Sequence, residues 1–538
     1  MLTARMSRRA PRALSDAATV PAGRAPRLEA GPAAGARERA RLRLVTVVLV
    51  VYLLAIFEGS IRKYVVPQFG QYVFFIRDPF VIYAYVLAGR FGFWPRNNGL
   101  FRISLLMCAF GLVILLLQTA VAGVSDTRLI LGISGWRSYC LYLPLAFLIG
   151  EQFRAADLLR FGKLTLLLAL PIAVLVTVQF ASPPGAAINV GSSAEEELQF
   201  KSVGLDLEHI RTTGPFTSSA GQQQFVTTAC AFALGFLLVS GSRRRVGFVP
   251  LMVAAAAILT CVALGGSRGT TLQCAMTVAF ALVLGLIGRG TELKFKAVAL
   301  PLALSAAAIV LYPIVFPEGF KTFMARWDGA ARAETAFEGG VFGRALFGFI
   351  DFFRLIDVVP AMGYGLGYGT NASITLRAEV DGIMPGLLAE TDFSRHMVDL
   401  GPVFGLGYIA FRVAFVVWLA RLVLAATRRT PDPLPMMLFA YAGYVVLSGQ
   451  ITGNGSINVY GWLFAGLCIA AAREALVAAP ACSVARAATA RAGITYRRSS
   501  PVRAARRPSA PLSPIRLTRD ESSPMSNPAF PLNPGSEL

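Results

Sequence analysis

Long apolar stretches alternate with short polar ones along most of the chain. A transmembrane helix needs about 20 mostly apolar residues, and twelve stretches reach or approach that length. They lie near residues 44–57, 72–88, 103–122, 136–150, 164–181, 216–240, 247–264, 270–288, 297–316, 402–420, 434–451 and 457–477. The hydropathy pattern therefore predicts an all-α polytopic membrane protein with about twelve transmembrane helices within residues 44–478.

Positive charge falls on every second polar loop. If the N-terminus is cytoplasmic, five short loops face inward, and each carries three Lys or Arg. These loops are 89–102, 151–163, 241–247, 289–296 and 421–432. The short outward loops carry fewer, and 452–456 carries none. Because Lys and Arg are enriched in cytoplasmic loops, the pattern predicts that both termini are cytoplasmic.

Two long hydrophilic segments face outward in this topology. They are 182–215 and 317–401, and the second lies between the ninth and tenth helices. The two histidines of the chain, His209 and His396, both fall in these segments. The sequence therefore predicts that the polar chemistry of the protein lies on its outer face.

The composition agrees with a membrane protein. Hydrophobic residues make up 55% of the 538 residues and charged residues only 15%, against about 25% charge in soluble domains. The net charge of +21 comes largely from the inward loops and from two basic tails, 1–43 and 479–538. The tails have few apolar residues to bury, so we expect them to be disordered and to attract anionic lipid. We expect no nucleic-acid binding. Seven cysteines without a CxxC motif do not indicate a structural zinc site.

The second long segment contains three distinct patterns. Residues 341–357 place apolar side chains on one helical face, which predicts a helix in the membrane interface. Residues 360–373, PAMGYGLGYGTNAS, have glycine at alternate positions and predict a tight structural loop over a ligand cleft. A nucleotide-binding loop is the weaker alternative, because no strand precedes it.

The third pattern surrounds His396. If a helix begins early in 390–401, then Asp392, Arg395, His396 and Asp399 share one face by their spacing. One interpretation is a solvated helix start with acidic residues at its positive end. The other is a catalytic site in which His396, Glu390 or Asp392 accepts a proton, since histidine is the commonest general base.

Charged residues also flank the predicted spans at four other places. Arg77 and Asp78 begin the second span, where we expect a local ion pair, because an isolated charge there is costly. Glu58, Arg62 and Lys63 end the first span; they either snorkel to the interface or face an anion.

Two further arginines precede predicted spans. Arg211 and Arg268 lie at outward helix starts, where backbone amides and guanidinium groups together can bind phosphate. The alternative for both is packing at the end of a loop. Several outward arginines would suit a ligand that carries a diphosphate.

The order of several motifs resembles the bacterial O-antigen polymerase and O-antigen ligase superfamily, in particular its exopolysaccharide-polymerase-like members. The motifs are FEGSIRKYVVP, FFIRDPF, GWRSYCLYLPLAF, RTTGPFTSSAGQ, GGSRG, GYGLGYGTN and RHMVDLGPVFGLG, within residues 44–475. The resemblance implies a metal-independent glycosyltransferase of the bacterial inner membrane that needs no cofactor. Its substrate would be a glycan carried on undecaprenyl diphosphate, and its partners would include chain-length or export proteins.

The resemblance also implies roles for particular residues. Arg211 and Arg268 match arginines that hold the diphosphate, and His396 matches the catalytic loop histidine of the ligases. Apart from the resemblance, Arg77, Arg62, Lys63 and Arg395 are further candidates for substrate binding, and Arg395 before the histidine is not part of the family's pattern. Met397 follows the histidine where ligases commonly have Asn, Ser or Gln, which leaves a polymerase role more open than a ligase role.

Three functions are therefore expected from the sequence. The first is polymerisation of lipid-linked repeat units by inverting glycosyl transfer, and the second is ligation of the glycan to another acceptor. The third is transport, because many twelve-helix transporters consist of two similar halves. The link between the sixth and seventh spans is only about seven residues long, and no similarity between halves is visible, which favours the enzyme.

Overall fold

The computed structural model of the protein describes residues 32–69, 73–122, 126–189, 210–239, 246–335, 340–370, 373, 380 and 382–496. The described residues are ~81% helical and form no strand. The chain divides into two units, Met1–Pro480 and Ala481–Leu538. The helices discussed below belong to the first unit, apart from the last part of the final helix, which lies beyond Pro480.

Fifteen α-helices are defined in the described residues. In chain order they are α1 (Pro32–Ser60), α2 (Asp78–Phe91), α3 (Gly99–Ala122), α4 (Asp126–Cys140), α5 (Leu143–Gln152), α6 (Ala155–Ala181), α7 (Ser219–Leu237), α8 (Phe248–Gly265), α9 (Arg268–Ile287), α10 (Thr291–Val315), α11 (Pro317–Thr335), α12 (Gly340–Ile350), α13 (Asp392–Arg429), α14 (Leu434–Ser448) and α15 (Gly455–Tyr496).

Eight of the described helices are long and apolar enough to cross a membrane, so the fold is that of an all-α polytopic membrane protein. They are α1, α3, α6, α8, α9, α10, α13 and α15. The helix α14 is apolar but shorter. Most of the apolar part of α15 is buried, whereas α10 is almost entirely exposed. The first therefore lies in the middle of the bundle and the second at its periphery.

Aromatic side chains fill the centre of the bundle. Tyr52 of α1 lies 4.5 Å from the ring of Phe161 in α6, between ring centroids. Tyr460 stacks on Phe464 within α15 at 5.7 Å. These rings belong to the large apolar core, and aromatic side chains bury more area than most others. The core is therefore built from helices that are distant in sequence.

The helix boundaries differ from those expected at both ends. The first helix begins at Pro32, so the expectation of a disordered tail through residue 43 is wrong for residues 32–43. Arg41 explains the difference, because its Nη1 atom lies 2.6 Å from Asp157 Oδ2 and both side chains are buried. At the other end, α15 continues to Tyr496, beyond the expected boundary at 478.

The fourth predicted span is two helices rather than one. The helix α4 ends at Cys140, and α5 begins at Leu143 with Pro144 in its first turn. Proline is favoured at the first turn of a helix because its missing N–H needs no partner there. The break orients α4 independently of α5, and α4 carries two side chains of the candidate site.

The helix α13 contains a kink at Gly401, where φ is +75°. Glycine adopts this conformation without steric cost, and Pro402 follows. A Cβ atom on Gly401 would lie 2.6 Å from the backbone nitrogen of Gly363. The kink therefore lets the glycine-rich loop cross the helix in close contact, and it separates the buried segment Asp392–Leu400 from the rest of α13.

Replacing Gly401 by Ala is expected to destabilise the protein by about 1–3 kcal/mol, because alanine is strained at positive φ and its Cβ would meet the crossing loop. The variant should unfold at a lower temperature in detergent. The matched control is Gly407→Ala in the same helix, where an added Cβ meets nothing within 4 Å. The control should match or slightly exceed the wild type, since alanine favours a helix over glycine by about 1 kcal/mol. Equal melting temperatures for the two variants would contradict this account of the kink.

Candidate functional site

The segment around His396 is a buried helix start. The helix α13 begins at Asp392, and the Thr391 side chain caps it by accepting a hydrogen bond from the Ser394 amide. Asp392, Arg395, His396 and Asp399 are all buried. The four residues therefore share one helical face, as their spacing predicts. Because they are buried, the interpretation as a solvated helix start is wrong.

An arginine from the far side of the kink closes this face. Arg412 is fully buried, and its Nη1 atom contacts both Asp392 Oδ2 and His396 Nε2, the latter at 2.8 Å. Its Nε atom donates to the Val446 carbonyl oxygen at 2.8 Å, and its Nη2 atom donates to that of Gly449 at 2.9 Å. One guanidinium therefore ties α13 to the end of α14.

A tyrosine from α4 completes the arrangement on the opposite side of the imidazole. The Tyr139 hydroxyl lies 3.0 Å from His396 Nδ1 and donates to Asp399 Oδ2 at 3.1 Å. We call Tyr139, Asp392, Arg395, His396, Asp399 and Arg412 the histidine cluster. Its two carboxyl and two guanidinium groups lie together, as buried charged groups require.

These contacts determine the protonation of the imidazole. Arginine has hydrogen-bond donors only, so His396 Nε2 must be an acceptor and the ring proton must be on Nδ1. The Nδ1–H group then donates to the Tyr139 oxygen, whose own proton points to Asp399. The cluster contains a directed chain of hydrogen bonds from Arg412 through His396 and Tyr139 to Asp399.

The glycine-rich loop holds the cluster from outside. The Gly369 amide donates to Asp399 Oδ1 at 2.6 Å, and Arg395 Nε donates to the Gly369 carbonyl oxygen at 2.7 Å. The Tyr364 amide donates to the Val398 carbonyl oxygen at 2.8 Å. The loop is therefore a structural element that packs backbone against backbone, which favours that interpretation over a nucleotide-binding loop.

The predicted interface helix is shorter than expected. The helix α12 ends at Ile350, and residues 351–355 form a 3-10 helix. Leu346, Phe349 and Phe353 are exposed, as an interfacial helix requires. Asp351 is buried and accepts a hydrogen bond from the Ser394 hydroxyl, so this segment is anchored to the first turn of α13.

The expected ion pair between Arg77 and Asp78 is wrong. Arg77 pairs with Glu58 of α1 at 3.0 Å, and Asp78 pairs with Arg137 of α4 at 2.5 Å. Because neighbouring side chains at a helix start point in different directions, Arg77 and Asp78 each pair with a residue of another helix. The two pairs join α1, α2 and α4. Arg137 lies two residues before Tyr139 in α4.

Arg62 and Lys63 lie in a short π-helix, Ile61–Val65, that extends α1. Lys63 Nζ donates to the Ile188 carbonyl oxygen at 2.7 Å, and Ser60 N donates to that of Pro215 at 2.9 Å. These two hydrogen bonds therefore connect the end of α1 to the segment that precedes α7. Lys63 has a structural contact, and Arg62 is half-buried beside it.

Arg211 lies near enough to Arg268, at the N-terminus of α9, for the two charges to interact. Burial lowers the pKa of Arg211, and the nearby positive charge of Arg268 lowers it further. The Arg211 Nε atom is buried and has no hydrogen-bond partner in the described part of the chain. Ser267 caps α9 by accepting from the Thr270 amide. Two guanidinium groups and a helix N-terminus therefore converge, and such a place attracts anions.

Two predicted residues remain apart from these groups. Glu390 is exposed at the entrance to α13, two residues before the buried Asp392. His209 lies outside the residues that the structure describes. The described residues also include no group of three or more His, Cys, Asp or Glu arranged to hold a metal ion.

Sequence reasoning missed three residues of the site. Arg412 is a lone cation within an apolar stretch, and such a charge usually has a buried partner, so its position was a usable signal. Tyr139 and Arg137 lie in the motif GWRSYCLYLPLAF, which contributes to the family resemblance but predicted no role for either residue. Nothing in the sequence shows that Tyr139 faces His396, because the two are 257 positions apart.

Replacing Arg412 by Lys is expected to destabilise the protein by about 1–3 kcal/mol. Lysine keeps the charge but lacks the planar fork, so the bonds to the Val446 and Gly449 carbonyl oxygens cannot both persist. Thermal unfolding in detergent measures the effect. Arg421→Lys, at an exposed position of the same helix, should stay within about 0.5 kcal/mol of the wild type. An Arg412→Lys protein as stable as this control would show that the fork is not needed.

The chain matches no protein-family model, and no curated protein matches it significantly. The resemblance to the O-antigen polymerase and ligase superfamily therefore rests on the motifs quoted above.

Proposed function

We propose that this protein is a membrane glycosyltransferase that polymerises glycan repeat units carried on undecaprenyl diphosphate. The convergence of Arg211 and Arg268 at the N-terminus of α9 is the observation that carries the proposal. These two residues are 57 positions apart in the sequence, and both were expected to hold a diphosphate. Fixed cations in an apolar bundle suit a lipid-linked anion, because the lipid keeps the ligand in the membrane while the phosphates reach the polar end.

The proposed chemistry is an inverting transfer. A sugar hydroxyl of one glycan attacks the anomeric carbon of another, and the bond between that carbon and the diphosphate oxygen breaks. The electron pair leaves with the diphosphate, whose developing charge the guanidinium groups stabilise. The hydroxyl proton passes to a base. No external energy source is needed, because the donor carries its own leaving group.

The proposed topology places this chemistry outside the cytoplasm. We propose twelve membrane crossings, with α4 and α5 together forming one crossing and the shorter α2, α7 and α14 completing the set. Both termini are then cytoplasmic, in the bacterial inner membrane. Arg211, Arg268 and the histidine cluster then lie on the outer side, where lipid-linked glycans are extended.

We propose His396 as the base and Glu390 as the alternative proton acceptor. In the described arrangement the Nε2 lone pair of His396 accepts from Arg412, so proton uptake at Nε2 requires Arg412 to move aside. Catalytic hydrogen bonds commonly rearrange when substrate binds. Asp392 accepts from Arg412 and from both the amide and the hydroxyl of Thr452, so we propose that it positions the cluster.

The test is an assay of the purified protein in liposomes with an undecaprenyl-diphosphate oligosaccharide. Products of added length on the same carrier support polymerisation. Products moved to a different lipid acceptor identify a ligase, and an unchanged oligosaccharide in the presence of folded protein contradicts the proposal. Counterflow of a solute without any lipid-linked glycan would indicate a transporter.

A further inference from the structure

The helix that follows α10 folds back over the start of α9, where Arg268 lies. Near the end of α10, the Tyr312 hydroxyl contacts the carbonyl oxygens of Ala263 at 2.7 Å and Gly319 at 3.0 Å. The first of these belongs to the last turns of α8, and the second to the first turn of α11. The Tyr312 ring also packs on Phe320 and Phe323. The start of α11 is therefore fixed against the end of α8, directly before α9 begins.

This fold brings Arg326 to the turn between α8 and α9. Arg326 is only 7% exposed, although arginine is rarely buried to this degree. A Cβ atom on Gly266 would clash with the Arg326 Nη1 atom, and Gly266 has a φ of +56°. Only glycine combines that backbone conformation with that space, so the turn is shaped to receive the guanidinium.

The next residue, Trp327, covers Arg268. The Arg268 Cζ atom lies 5.7 Å from the centre of the indole ring, within the range of a cation–π interaction. Trp327 is partly exposed, at 38%. The indole therefore restricts the Arg268 side chain on one side and leaves an accessible edge next to it.

Glutamine side chains complete the surroundings. Gln223 Oε1 lies 3.4 Å from the Ser267 hydroxyl, and Gln222 Oε1 accepts from the Thr212 hydroxyl at 3.2 Å. These contacts join the segment that bears Arg211 to α7 and to the start of α9. Arg326 lies at Gly266 and Arg268 lies against the neighbouring Trp327, so both belong to the start of α9, while the charge of Arg268 acts on Arg211 from the segment before α7.

We propose that Arg326 is a third diphosphate-binding residue, and that α11 with Trp327 forms the cover of this site. This inference rests on the proposed function in that the diphosphate belongs to the glycan donor. A diphosphate that bridges a sugar and a lipid carries two negative charges. It gains further negative charge when the sugar leaves, because the terminal phosphate oxygen keeps the electron pair of the broken bond. A third guanidinium balances that charge, so Arg326 would favour the leaving diphosphate over the intact donor.

The experiment measures binding of inorganic pyrophosphate to the purified full-length protein in detergent, by calorimetry. We expect pyrophosphate to bind more tightly than orthophosphate, and Arg326→Gln to weaken pyrophosphate binding tenfold or more. Arg326→Lys should recover part of the loss, because lysine retains the charge without the fork. Lys321→Ala on the same helix is the matched control, since Lys321 is exposed and pairs locally with Glu318.

Several outcomes would overturn the inference. Pyrophosphate binding that is equal in the wild type and in both Arg326 variants would do so, as would a wild-type protein that binds no pyrophosphate. A loss of pyrophosphate binding in Lys321→Ala equal to that in Arg326→Gln would show that surface charge, rather than a specific site, causes the loss. If Arg326→Gln fails to fold, Arg326→Lys and a Trp327→Phe variant decide the question. Pyrophosphate binding that depends on Arg326 in a protein that extends no glycan would leave the anion site established and disprove the polymerase.

Discussion

The His396→Gln variant is expected to lose about 10²- to 10⁴-fold of its polymerising activity while folding normally. The range is that of a lost general base. Glutamine can imitate both ring nitrogens, since its oxygen can accept from Arg412 and its amide can donate to Tyr139. It cannot take up a proton. The substitution therefore removes proton transfer and keeps the hydrogen bonds that hold α13 in place.

The matched control is Glu390→Gln, which removes the exposed carboxylate at the entrance to the same helix. Its activity should stay within about threefold of the wild type if His396 is the base. Both variants are assayed for elongation of a lipid-linked oligosaccharide, with melting temperature as the measure of folding. Normal activity in His396→Gln together with a large loss in Glu390→Gln would transfer the role to Glu390. Normal activity in both would remove this cluster from the chemistry.

Replacing Arg268 by Ala is expected to lower the rate of transfer by about 10²- to 10³-fold, the usual effect of removing one charged group from a developing anion. The side chain is half-buried and lies against Trp327, so its loss leaves the helix itself intact. The effect should appear mainly in the rate at saturating substrate, because charge on the diphosphate grows as the bond to the sugar breaks.

Arg289→Ala provides the control for this prediction. Arg289 follows the other end of the same helix and is exposed, and its Nη1 atom donates to the Arg429 carbonyl oxygen. Activity should be unchanged within about twofold, since exposed substitutions rarely cost more than about 0.5 kcal/mol. Equal losses in both variants would indicate that net charge, rather than the site, governs the rate.

The hydropathy of the chain predicted its helical architecture because each long apolar run must satisfy its backbone hydrogen bonds internally in lipid. It did not predict the break between Cys140 and Leu143. The apolar run continues across that break, so hydropathy gives no sign of it. The break is needed only because α4 runs in a different direction from α5. The hydropathy also failed to predict the early start of α1. In the sequence Arg41 is one of several charged residues of the tail, and only the structure shows its pairing with Asp157.

Local spacing predicted one face of the site and could not predict what faces it. The intervals of three and four residues from Asp392 to Asp399 placed four side chains together, as helical geometry requires. Their burial depends on Arg412, which lies beyond a kink, and on Tyr139, which belongs to another helix. The same limit explains Arg77 and Asp78, whose partners are on α1 and α4. Contacts between distant segments were not encoded in any local pattern.

The orientation of α11 tests the central claim most directly, because a site for lipid-linked glycan must face away from the cytoplasm. A single cysteine at exposed Lys321 can be labelled with a membrane-impermeant maleimide in intact spheroplasts. None of the six cysteines whose burial the structure describes is exposed, and the seventh, Cys482, is replaced by serine. The same experiment with cysteine at Asn97, in a loop expected inside, serves as the reference. We predict labelling of position 321 without permeabilisation and of position 97 only after it; the reverse pattern would contradict the proposed site and its function together.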